Sequence, residues 1–234
     1  MIDKTRLSQK CSTWNIELPG ALLDALDRYA EILVEYNQKV NLTAITTPEG
    51  IEDRHFVDSL LFAAQPEVAG RLVDVGTGAG FPGIVAKLYK PGLALTLMEP
   101  TGKRIEFLKY ACAELGLTDV EFAKERAEEA ARKQWREQFD VAAARAVAGL
   151  PALCEYCLPL VRVGGSFIAM KGPDIDAELN ASKKALHMLG GRAEKTLPFT
   201  LPDGSERRLF FAKKISQTPT VYPRNGGKIA KTPL

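Results

Sequence analysis

The sequence predicts an α/β protein with a mostly parallel, seven-stranded sheet, helices on both faces of that sheet and an N-terminal helical extension. From residue 71 to about residue 172, short β-rich runs alternate with helical patterns, which is typical of a parallel sheet with right-handed crossovers. A glycine-rich turn joins the first of these strands to the first helix. We therefore expect a helical extension over residues 1–66 and a sheet domain over residues 67–234, packed as one globular unit.

The N-terminal extension contains two helical patterns. In the first, apolar residues recur at steps of four and three and share one helix face; they are Leu22, Leu26, Tyr29, Leu33, Tyr36 and Val40. The second pattern follows Pro48 and places four polar residues within one turn, namely Arg54, His55, Asp58 and Ser59. The spacing allows His55 to meet Asp58 or Ser59, and Arg54 can likewise meet Asp58. We interpret them as a hydrogen-bonded strut between extension and sheet; contact with a substrate or cofactor is the alternative.

The elements of the sheet domain follow from the spacing of its apolar residues. The predicted strands cover residues 72–75, 93–98, 120–123, 139–143, 165–170, 193–201 and 208–215. Helices are predicted at residues 83–89, around 105–115 with Gly116 as the C-cap, over 150–161 and at about 175–189. Asp203 and Gly204 predict a turn between the last two strands. The tail from Ser216, rich in Pro, Gly and Lys, is predicted to be irregular.

The glycine-rich turn is the motif that carries the chemistry. It reads Leu-Val-Asp-Val-Gly-Thr-Gly-Ala-Gly-Phe-Pro-Gly over residues 72–83. Gly76, Gly78 and Gly80 allow the backbone to turn sharply and to approach a ligand where a Cβ atom would collide. The turn follows a predicted strand, at the edge where open α/β sheets bind ligands. We expect a nucleotide-type cofactor in this crevice.

Two classes of cofactor fit these glycines. Residues 78–83 also satisfy the dinucleotide pattern G-x-G-x-x-G, and Glu99 lies about 20 residues further on, as that fold requires. Asp74 favours S-adenosylmethionine, because its carboxylate can receive the ammonium group of that cofactor, directly or through water, and would repel a pyrophosphate. The long N-terminal extension also favours it, since a dinucleotide site usually begins near the N-terminus. A methyltransferase is therefore favoured over a nicotinamide-dependent oxidoreductase.

Further candidate residues stand at the ends of the later strands. Glu99 ends the second strand, where a carboxylate can accept both hydroxyls of an adenosine ribose; an acid that caps the next helix is the alternative. Ala127 and Glu128 follow the third strand, where the adenine edge would lie. Arg145 and Lys171 end the fourth and fifth strands, where a substrate must meet the methyl group. Two cations there can hold phosphate, although either can also serve as an ordinary salt-bridge partner.

The charge is unevenly distributed along the chain. The net charge is only +2, yet seven Lys or Arg residues and a single acid, Glu206, lie between Gly204 and Leu234. This excess favours a polyanionic partner, and a solvated basic tail explains it equally well. The candidate RNA-binding residues are Arg145, Lys171, Arg207, Arg208, Arg224 and Lys228.

The cysteines predict neither disulfides nor a metal site. Cys11, Cys112, Cys154 and Cys157 follow no secreted framework, and no apolar run is long enough to cross a bilayer, so we expect a reducing cytoplasm and no membrane. Cys154 and Cys157 have the spacing of half a zinc site, but there is no second cysteine pair and the chain has only two histidines. We interpret Cys154 and Cys157 as core residues on a helix. Separately, we expect the protein to be a monomer.

Several sequence blocks, taken in order, closely resemble the ribosomal RNA small subunit methyltransferase G family, also called glucose-inhibited division protein B. The glycine motif alone occurs in many methyltransferases, whereas its flanking blocks in this order are far more specific. The resemblance covers nearly the whole chain after about Tyr36. Its blocks are residues 41–45, 54–60, 74–83, 102–104, 126–129 and 166–172, with the ending Tyr222-Pro223-Arg224 and Pro233-Leu234.

The resemblance implies a Rossmann-like class I S-adenosylmethionine-dependent methyltransferase fold. It also implies methylation at N7 of one guanine, guanine 527, of 16S rRNA, either as RNA or within the small ribosomal subunit. The cofactor contacts that it implies are Gly76, Phe81, Ala127, Glu128 and Arg145. One segment, residues 129–144, is a few residues longer than is usual in the family, and we expect its charged middle, residues 131–138, on a surface loop or helix extension.

Guanine N7 has a free lone pair, so its methylation needs no prior deprotonation and can proceed largely by in-line positioning. We therefore assign no acid–base residue, and take Arg145 and Lys171 as positioning candidates. The sequence lacks the Asn/Asp-Pro-Pro-Tyr/Phe run expected for methylation of exocyclic amines, and no cysteine stands at an obvious strand end. From the residues alone, a methyltransferase for a small molecule or protein and a non-catalytic RNA-binding protein stay open.

Overall fold

A computed structural model describes the whole chain, residues 1–234. Its strands are β1 (Arg71–Val75), β2 (Ala94–Met98), β3 (Val120–Ala123), β4 (Phe139–Arg145), β5 (Val161–Lys171), β6 (Gly191–Thr200) and β7 (Glu206–Lys214). They form one sheet in the order β3-β2-β1-β4-β5-β7-β6. β7 alone runs antiparallel to its neighbours, while the other pairings are parallel. The predicted seven-stranded, mostly parallel sheet is confirmed.

Helices connect these strands and form the N-terminal extension. They are α1 (Lys4–Ser12), α2 (Gly20–Asn37), α3 (Pro48–Ile51), α4 (Asp58–Ala63), α5 (Gly83–Tyr89), α6 (Gly102–Glu114), α7 (Ala127–Ala130), α8 (Leu150–Cys157), α9 (Asp176–Met188) and α10 (Gly226–Lys231). A π-helical segment, Glu52–Val57, joins α3 to α4 without a break. None of the helices has the length and apolar character needed to cross a membrane.

Two predictions about secondary structure are wrong, one about the end of a helix and one about the tail. The helix predicted over residues 150–161 ends at Cys157, because Pro159 stands in the following 3₁₀ turn, Leu158–Leu160, and cannot continue a helix. Val161 is therefore the first residue of β5 and not part of the helix face. The tail is not irregular throughout, since α10 forms within it. Asn225 caps that helix by accepting a hydrogen bond from the backbone N–H of Lys228, at 2.9 Å.

The sheet separates two hydrophobic clusters. The larger has 41 buried residues and combines the N-terminal extension with α5, α6 and one face of the sheet. The smaller has 25 buried residues and lies on the opposite face, among α8, α9 and β7. Because the larger cluster is continuous across residue 66, the extension buries its apolar faces against the sheet domain. The domain boundary at residue 66 itself stays a prediction.

Tyr29 of α2 connects the extension to the glycine-rich turn. Its side chain is fully buried, and its hydroxyl donates a hydrogen bond to the backbone carbonyl of Ala79. The ring stacks on Phe81 with a centroid separation of 5.1 Å. A Cβ atom on Gly80 would stand 2.5 Å from the Tyr29 hydroxyl, and Gly80 has a φ of +93°. Gly80 is therefore needed for this packing.

We predict that Gly80→Ala destabilises the protein by about 3 kcal/mol, because it combines a left-handed backbone with overpacking against Tyr29 and Ile84. Urea denaturation measures the change. The control is Gly116→Ala, where φ is +64° but nothing lies within 4 Å of the added Cβ; we expect a loss of about 1 kcal/mol there. Equal losses in the two variants would contradict the packing role of Gly80.

Candidate active site

The glycine-rich turn is held by the buried carboxylate of Asp74. One oxygen, Oδ2, accepts hydrogen bonds from the hydroxyl of Thr77, at 2.5 Å, and from the backbone N–H of Gly83, at 2.8 Å. The other oxygen, Oδ1, is buried without a partner. Burial raises the pKa of Asp74 from 3.8 to about 6, although these hydrogen bonds oppose the shift. Asp74 thereby ties the end of β1 to the start of α5.

The three glycines of the turn have three different roles. Gly76 has a φ of +66°, and a Cβ there would stand 2.7 Å from the side chain of Val147, in the loop after β4. Gly78 has a φ of +58° and donates its N–H to Oε2 of Glu99 at 3.2 Å. Gly80 leaves room for Tyr29. We expected all three to admit a ligand, whereas only Gly76 lines a cavity.

A cavity of about 600 Å³ opens at the carboxyl ends of β1, β2 and β4. This is the place where the strand order reverses, between β1 and β4, and where open α/β sheets bind ligands. Its volume lies within the range usual for ligand sites. We call it the cofactor cavity; its lining comprises Val75, Gly76, Met98, Glu99, Pro100, Thr101, Arg104, Glu125, Arg126, Ala127, Glu128, Ala146, Val147, Ala148, Gly149, Pro151, Ala152, Tyr156, Ala230 and Pro233.

Glu99 lies in this cavity in a fixed orientation. It is 2% exposed, and its two oxygens accept the backbone N–H groups of Gly78 and Thr101. Arg104 stands 3.6 Å away. A carboxylate has about four acceptor positions, so Glu99 can cap α6 through Thr101 and still accept ribose hydroxyls. The two interpretations of Glu99 from the sequence are therefore compatible.

The predicted cofactor residues divide into groups in the structure. Gly76, Glu99, Ala127 and Glu128 line the cofactor cavity. The others do not, and they are Asp74, Gly78, Gly80, Phe81 and Arg145. For Asp74 this changes the expected role, because its carboxylate lies behind the turn and supports it. Cofactor contact at each of these positions stays a prediction.

A second cavity, of about 430 Å³, adjoins the first. Ala146, which follows β4 with a φ of +55°, lines both cavities. We call the second one the acceptor cavity; its lining comprises Ile45, Arg54, His55, Asp58, Arg145, Ala146, Met170, Lys171, Gly172 and Arg207. Four of these residues are cations, whereas one is a carboxylate. Three of the cations are already paired, Arg145 with Asp58, Arg54 with Asp203 and Lys171 with Glu178. The surplus positive charge that could attract an anionic partner therefore lies mainly at Arg207.

Arg145 organises the wall between the two cavities. Its Nη1 donates to the backbone carbonyl of Arg54, at 3.0 Å, and to Oδ2 of Asp58, at 3.1 Å. Its Nη2 stands 3.3 Å from Nδ1 of His55. The guanidinium also lies over the ring of Phe81, 5.1 Å from its centroid. These contacts join β4, the extension and the glycine-rich turn.

The strut predicted from Arg54, His55, Asp58 and Ser59 exists, but its expected pairings are wrong. Asp58 meets Arg145, while Arg54 pairs with Asp203 of the β6–β7 turn at 2.5 Å. His55 contacts Thr43 and Arg145 instead of Asp58 or Ser59. The hydroxyl of Ser59 is buried without a partner. Both interpretations of the group therefore retain support, because three of its members also line the acceptor cavity.

Two titratable groups of the acceptor cavity have shifted pKa values. Burial and the nearby Arg145 lower the pKa of His55 to about 3, so its imidazole is neutral near pH 7. Burial raises the pKa of Asp58, and Arg145 opposes that shift. A neutral His55 can accept a hydrogen bond from Arg145 at Nδ1 and donate one from Nε2 to the Thr43 hydroxyl, 3.0 Å away. His55 thus holds Arg145 in place.

The candidate RNA-binding residues do not form one surface. Arg145, Lys171 and Arg207 line the acceptor cavity, and Arg208 is next to Arg207 on β7. Arg224 lies elsewhere, in an ion pair at 2.6 Å with Glu155, whose side chain is fully buried. Because this guanidinium is already paired with a buried acid, its contact with phosphate stays a prediction. Lys228 is exposed on α10, beside the cofactor cavity.

The cysteines are buried side chains of the core. Burial raises the pKa values of Cys11, Cys112 and Cys154 to about 12, and that of Cys157 is also raised by burial. The thiolate is the nucleophilic form, so these groups are inert at neutral pH. The structure brings together no group of three or more His, Cys, Asp or Glu side chains that could hold a metal ion.

The strand order, the reversed β7 and the cavity at the carboxyl ends define a class I S-adenosylmethionine-dependent methyltransferase fold. A crystal structure of an S-adenosylmethionine-dependent O-methyltransferase from Thermotoga maritima shares this fold with a TM-score of 0.51 and 15% identity, and covers 80% of this chain and 72% of that one.

Sequence comparison identifies the family. The model of the family described as rRNA small subunit methyltransferase G matches residues 22–216. The protein named ribosomal RNA small subunit methyltransferase G of Alkaliphilus metalliredigens is 45% identical over the full length of both chains. That of Moorella thermoacetica is also 45% identical over both full lengths. The chain belongs to the rRNA small subunit methyltransferase G family.

The residues of the cofactor cavity fit S-adenosylmethionine, the cofactor of this class. Gly76 presents bare backbone to the cavity, and Glu99 lies in it with free acceptor positions. The family match also decides against the nicotinamide alternative. Sequence reasoning missed the loop after β4, Tyr156 and the two C-terminal residues Ala230 and Pro233. The loop had a signal, because it follows a central strand at the carboxyl edge, and Pro233 belonged to a block that resembles the family.

We predict a pH-dependent effect of Asp74→Asn on stability. The raised pKa means that protonated Asp74 favours the folded state, so its contribution is present below pH 3.8 and is lost as the pH rises through about 6. Relative to the Asn variant, the free energy of unfolding of the unmodified protein should fall by about 3 kcal/mol over that range. Asp74→Ala, which loses both hydrogen bonds, should be less stable than Asn throughout. Urea denaturation at several pH values tests this, and parallel curves for the unmodified protein and Asn would contradict it.

Proposed function

We propose that this chain transfers the methyl group of S-adenosylmethionine to N7 of one guanine, guanine 527, in 16S rRNA. The observation that carries the proposal is the meeting of the cofactor cavity and a cation-lined acceptor cavity at Ala146. A methyl donor and an anionic acceptor bound on either side of Ala146 would face each other. The family and its full-length relatives support rRNA as the acceptor.

The acceptor cavity matches the chemistry of a guanine nucleotide. Guanine presents the acceptors N7 and O6 on one edge, whereas its N1–H and exocyclic amine are donors on another edge. Asp58 is the carboxylate in the cavity and can accept from the donor edge. Lys171, Arg207 and Arg54 surround it with donors for O6 and phosphate. With the donor edge at Asp58, N7 is free to point towards Ala146.

The residues of the acceptor cavity act by positioning and by charge. When bound, S-adenosylmethionine supplies an electrophilic methyl group on sulfur. No side chain has to remove a proton from N7, and the neutral, weakly basic His55 is consistent with that. Arg145 fixes the orientation of Asp58 through their 3.1 Å contact. The guanine becomes positively charged on methylation, and the carboxylate of Asp58 is placed to stabilise that charge.

A methyl-transfer assay tests the proposed reaction. Radiolabelled S-adenosylmethionine is incubated with small ribosomal subunits, or with naked 16S rRNA, from a strain that lacks the modification. We expect label in 7-methylguanosine at position 527. Label on another nucleoside, or label on a protein or small molecule with none on RNA, would overturn the proposal. Binding of the RNA without any transfer would favour a non-catalytic RNA-binding protein.

A salt titration tests the proposed RNA surface. Because Arg207 lines the acceptor cavity and is half-buried, Arg207→Ala should weaken RNA binding and reduce the slope of log affinity against log salt by about 1. Lys184→Ala is the control, since Lys184 is an exposed cation of α9 outside the cavity. If both variants change the slope equally, the RNA does not contact the acceptor cavity specifically.

A further inference from the structure

The chain after β7 returns to the cofactor cavity. We call residues 216–234 the C-terminal strap; it contains α10 and carries three of the Lys and Arg residues that make this end of the sequence basic, namely Arg224, Lys228 and Lys231. Ala230 and Pro233 of the strap line the cofactor cavity, while Ile229 of the same helix is fully buried. The strap is therefore a wall of the cavity and not a free tail.

The strap is anchored to α8 by a buried ion pair. Glu155 is fully buried, and it accepts four hydrogen bonds from Arg224: from the backbone N–H at 2.7 Å, from Nε at 2.9 and 3.0 Å, and from Nη2 at 2.6 Å. Removing one partner of such a pair leaves an uncompensated buried charge. The pair thus fixes where the strap leaves the body of the protein.

A second anchor comes from the charged segment over residues 131–138. Arg136 donates to the backbone carbonyls of Tyr222, at 2.9 Å, and Thr218, at 2.5 Å. Arg132 donates to the carbonyl of Pro223 at 2.8 Å. The charged segment therefore holds the strap by its backbone.

The strap closes one particular end of the cofactor cavity. The backbone of Gly226 packs so closely against the carboxylate of Glu128 that a Cβ atom there would collide with it. Glu128 and Tyr156 both line the cavity. They belong to α7 and α8, after β3 and β4, which is the side where we expect the adenine ring. Ala230 and Pro233 form the solvent-exposed part of the cavity wall on this side.

We propose that the strap is part of the cofactor site, with Ala230 and Pro233 contacting the adenine end of S-adenosylmethionine and with the Arg224–Glu155 pair holding them in place. The proposal rests on the assignment of this cavity to the cofactor and on the adenine edge lying at Glu128. If the proposal holds, the cations of the strap lie beside the cofactor and away from the acceptor cavity. Arg224 and Lys228 then contribute little to RNA binding.

Calorimetry with S-adenosylhomocysteine and no RNA tests the proposal. Ala230→Glu adds a carboxylate to the cavity that Glu128 also lines, and we expect the affinity for S-adenosylhomocysteine to fall by about tenfold or more, since a loss of about 1.4 kcal/mol corresponds to tenfold. Thr232→Glu is the matched control, because it adds the same charge two residues away at a position that does not line the cavity. Arg224→Gln should also weaken the affinity, while leaving the salt dependence of RNA binding unchanged. Equal affinities for the Ala230 and Thr232 variants would overturn the proposal.

A measurement on the unmodified protein decides the matter if a variant fails to fold. The amide N–H groups of Ile229 and Thr232 donate within α10, at 3.1 and 2.9 Å, so their hydrogen exchange reports opening of the strap. S-adenosylhomocysteine should slow this exchange, whereas unchanged exchange would overturn the proposal. If the strap responds and the cofactor binds, but no label reaches RNA, the proposed reaction fails while the role of the strap stands.

Discussion

The contacts of Arg145 are the interaction on which the site depends. A single guanidinium at the end of β4 bonds to Asp58 and to the backbone of Arg54, faces His55 and covers the ring of Phe81. Asp58 is 4% exposed, so neither charge could be buried there without the other. The N-terminal extension is therefore joined to the sheet at the wall between the cofactor and acceptor cavities. Loss of this pair would disturb both cavities at once.

Arg145 packs against a stack of three rings, those of His55, Phe81 and Tyr29. His55 stacks on Phe81 at 4.3 Å with an interplanar angle of 8°, and Phe81 stacks on Tyr29 at 5.1 Å. Tyr29 in turn bonds to the backbone of Ala79. The glycine-rich turn is thus clamped between the extension and Asp74. This accounts for a motif in which only one of three glycines faces the cofactor cavity, while Gly80 serves the packing.

Much of the fold could be predicted from the sequence because its signals are local. Alternating runs, the glycine-rich turn and the Asp203–Gly204 turn fix the seven strands with small errors at their ends, and the carboxyl edge fixes where Glu99, Ala127 and Glu128 lie. The pairings of side chains could not be predicted in this way. Residues 54–58 were expected to pair along one α-helical turn, whereas Glu52–Val57 is π-helical and its side chains reach partners distant in sequence.

The partners of the C-terminal basic residues could not be predicted from the sequence either. The sequence has seven cations from Gly204 onwards. In the structure their side chains have different partners and different exposure. Lys214 is fully buried and pairs with Glu137 at 2.9 Å, while Arg224 pairs with Glu155. Such pairs are invisible in composition, because the acids involved lie about 70 residues earlier in the chain, on α8 and in the charged segment before β4.

Charge neutralised inside the protein cannot attract a polyanion, so the number of cations overstates the positive charge that this end of the chain presents to solvent. The cations with the loosest pairing are Arg207 and Arg208, whose nearest carboxylates stand 3.7 Å away. They lie at the start of β7 beside the end of β5, where Lys171 is in register with Arg208 but is itself paired with Glu178 at 2.8 Å. Arg207 precedes Arg208 and reaches the acceptor cavity, where Asp58 stands 3.7 Å from its Nε. A phosphate held by these residues would lie beside the cavity that meets the cofactor at Ala146. The topology of the sheet, and not the richness of the tail in Lys and Arg, therefore determines where the positive charge of the acceptor cavity lies.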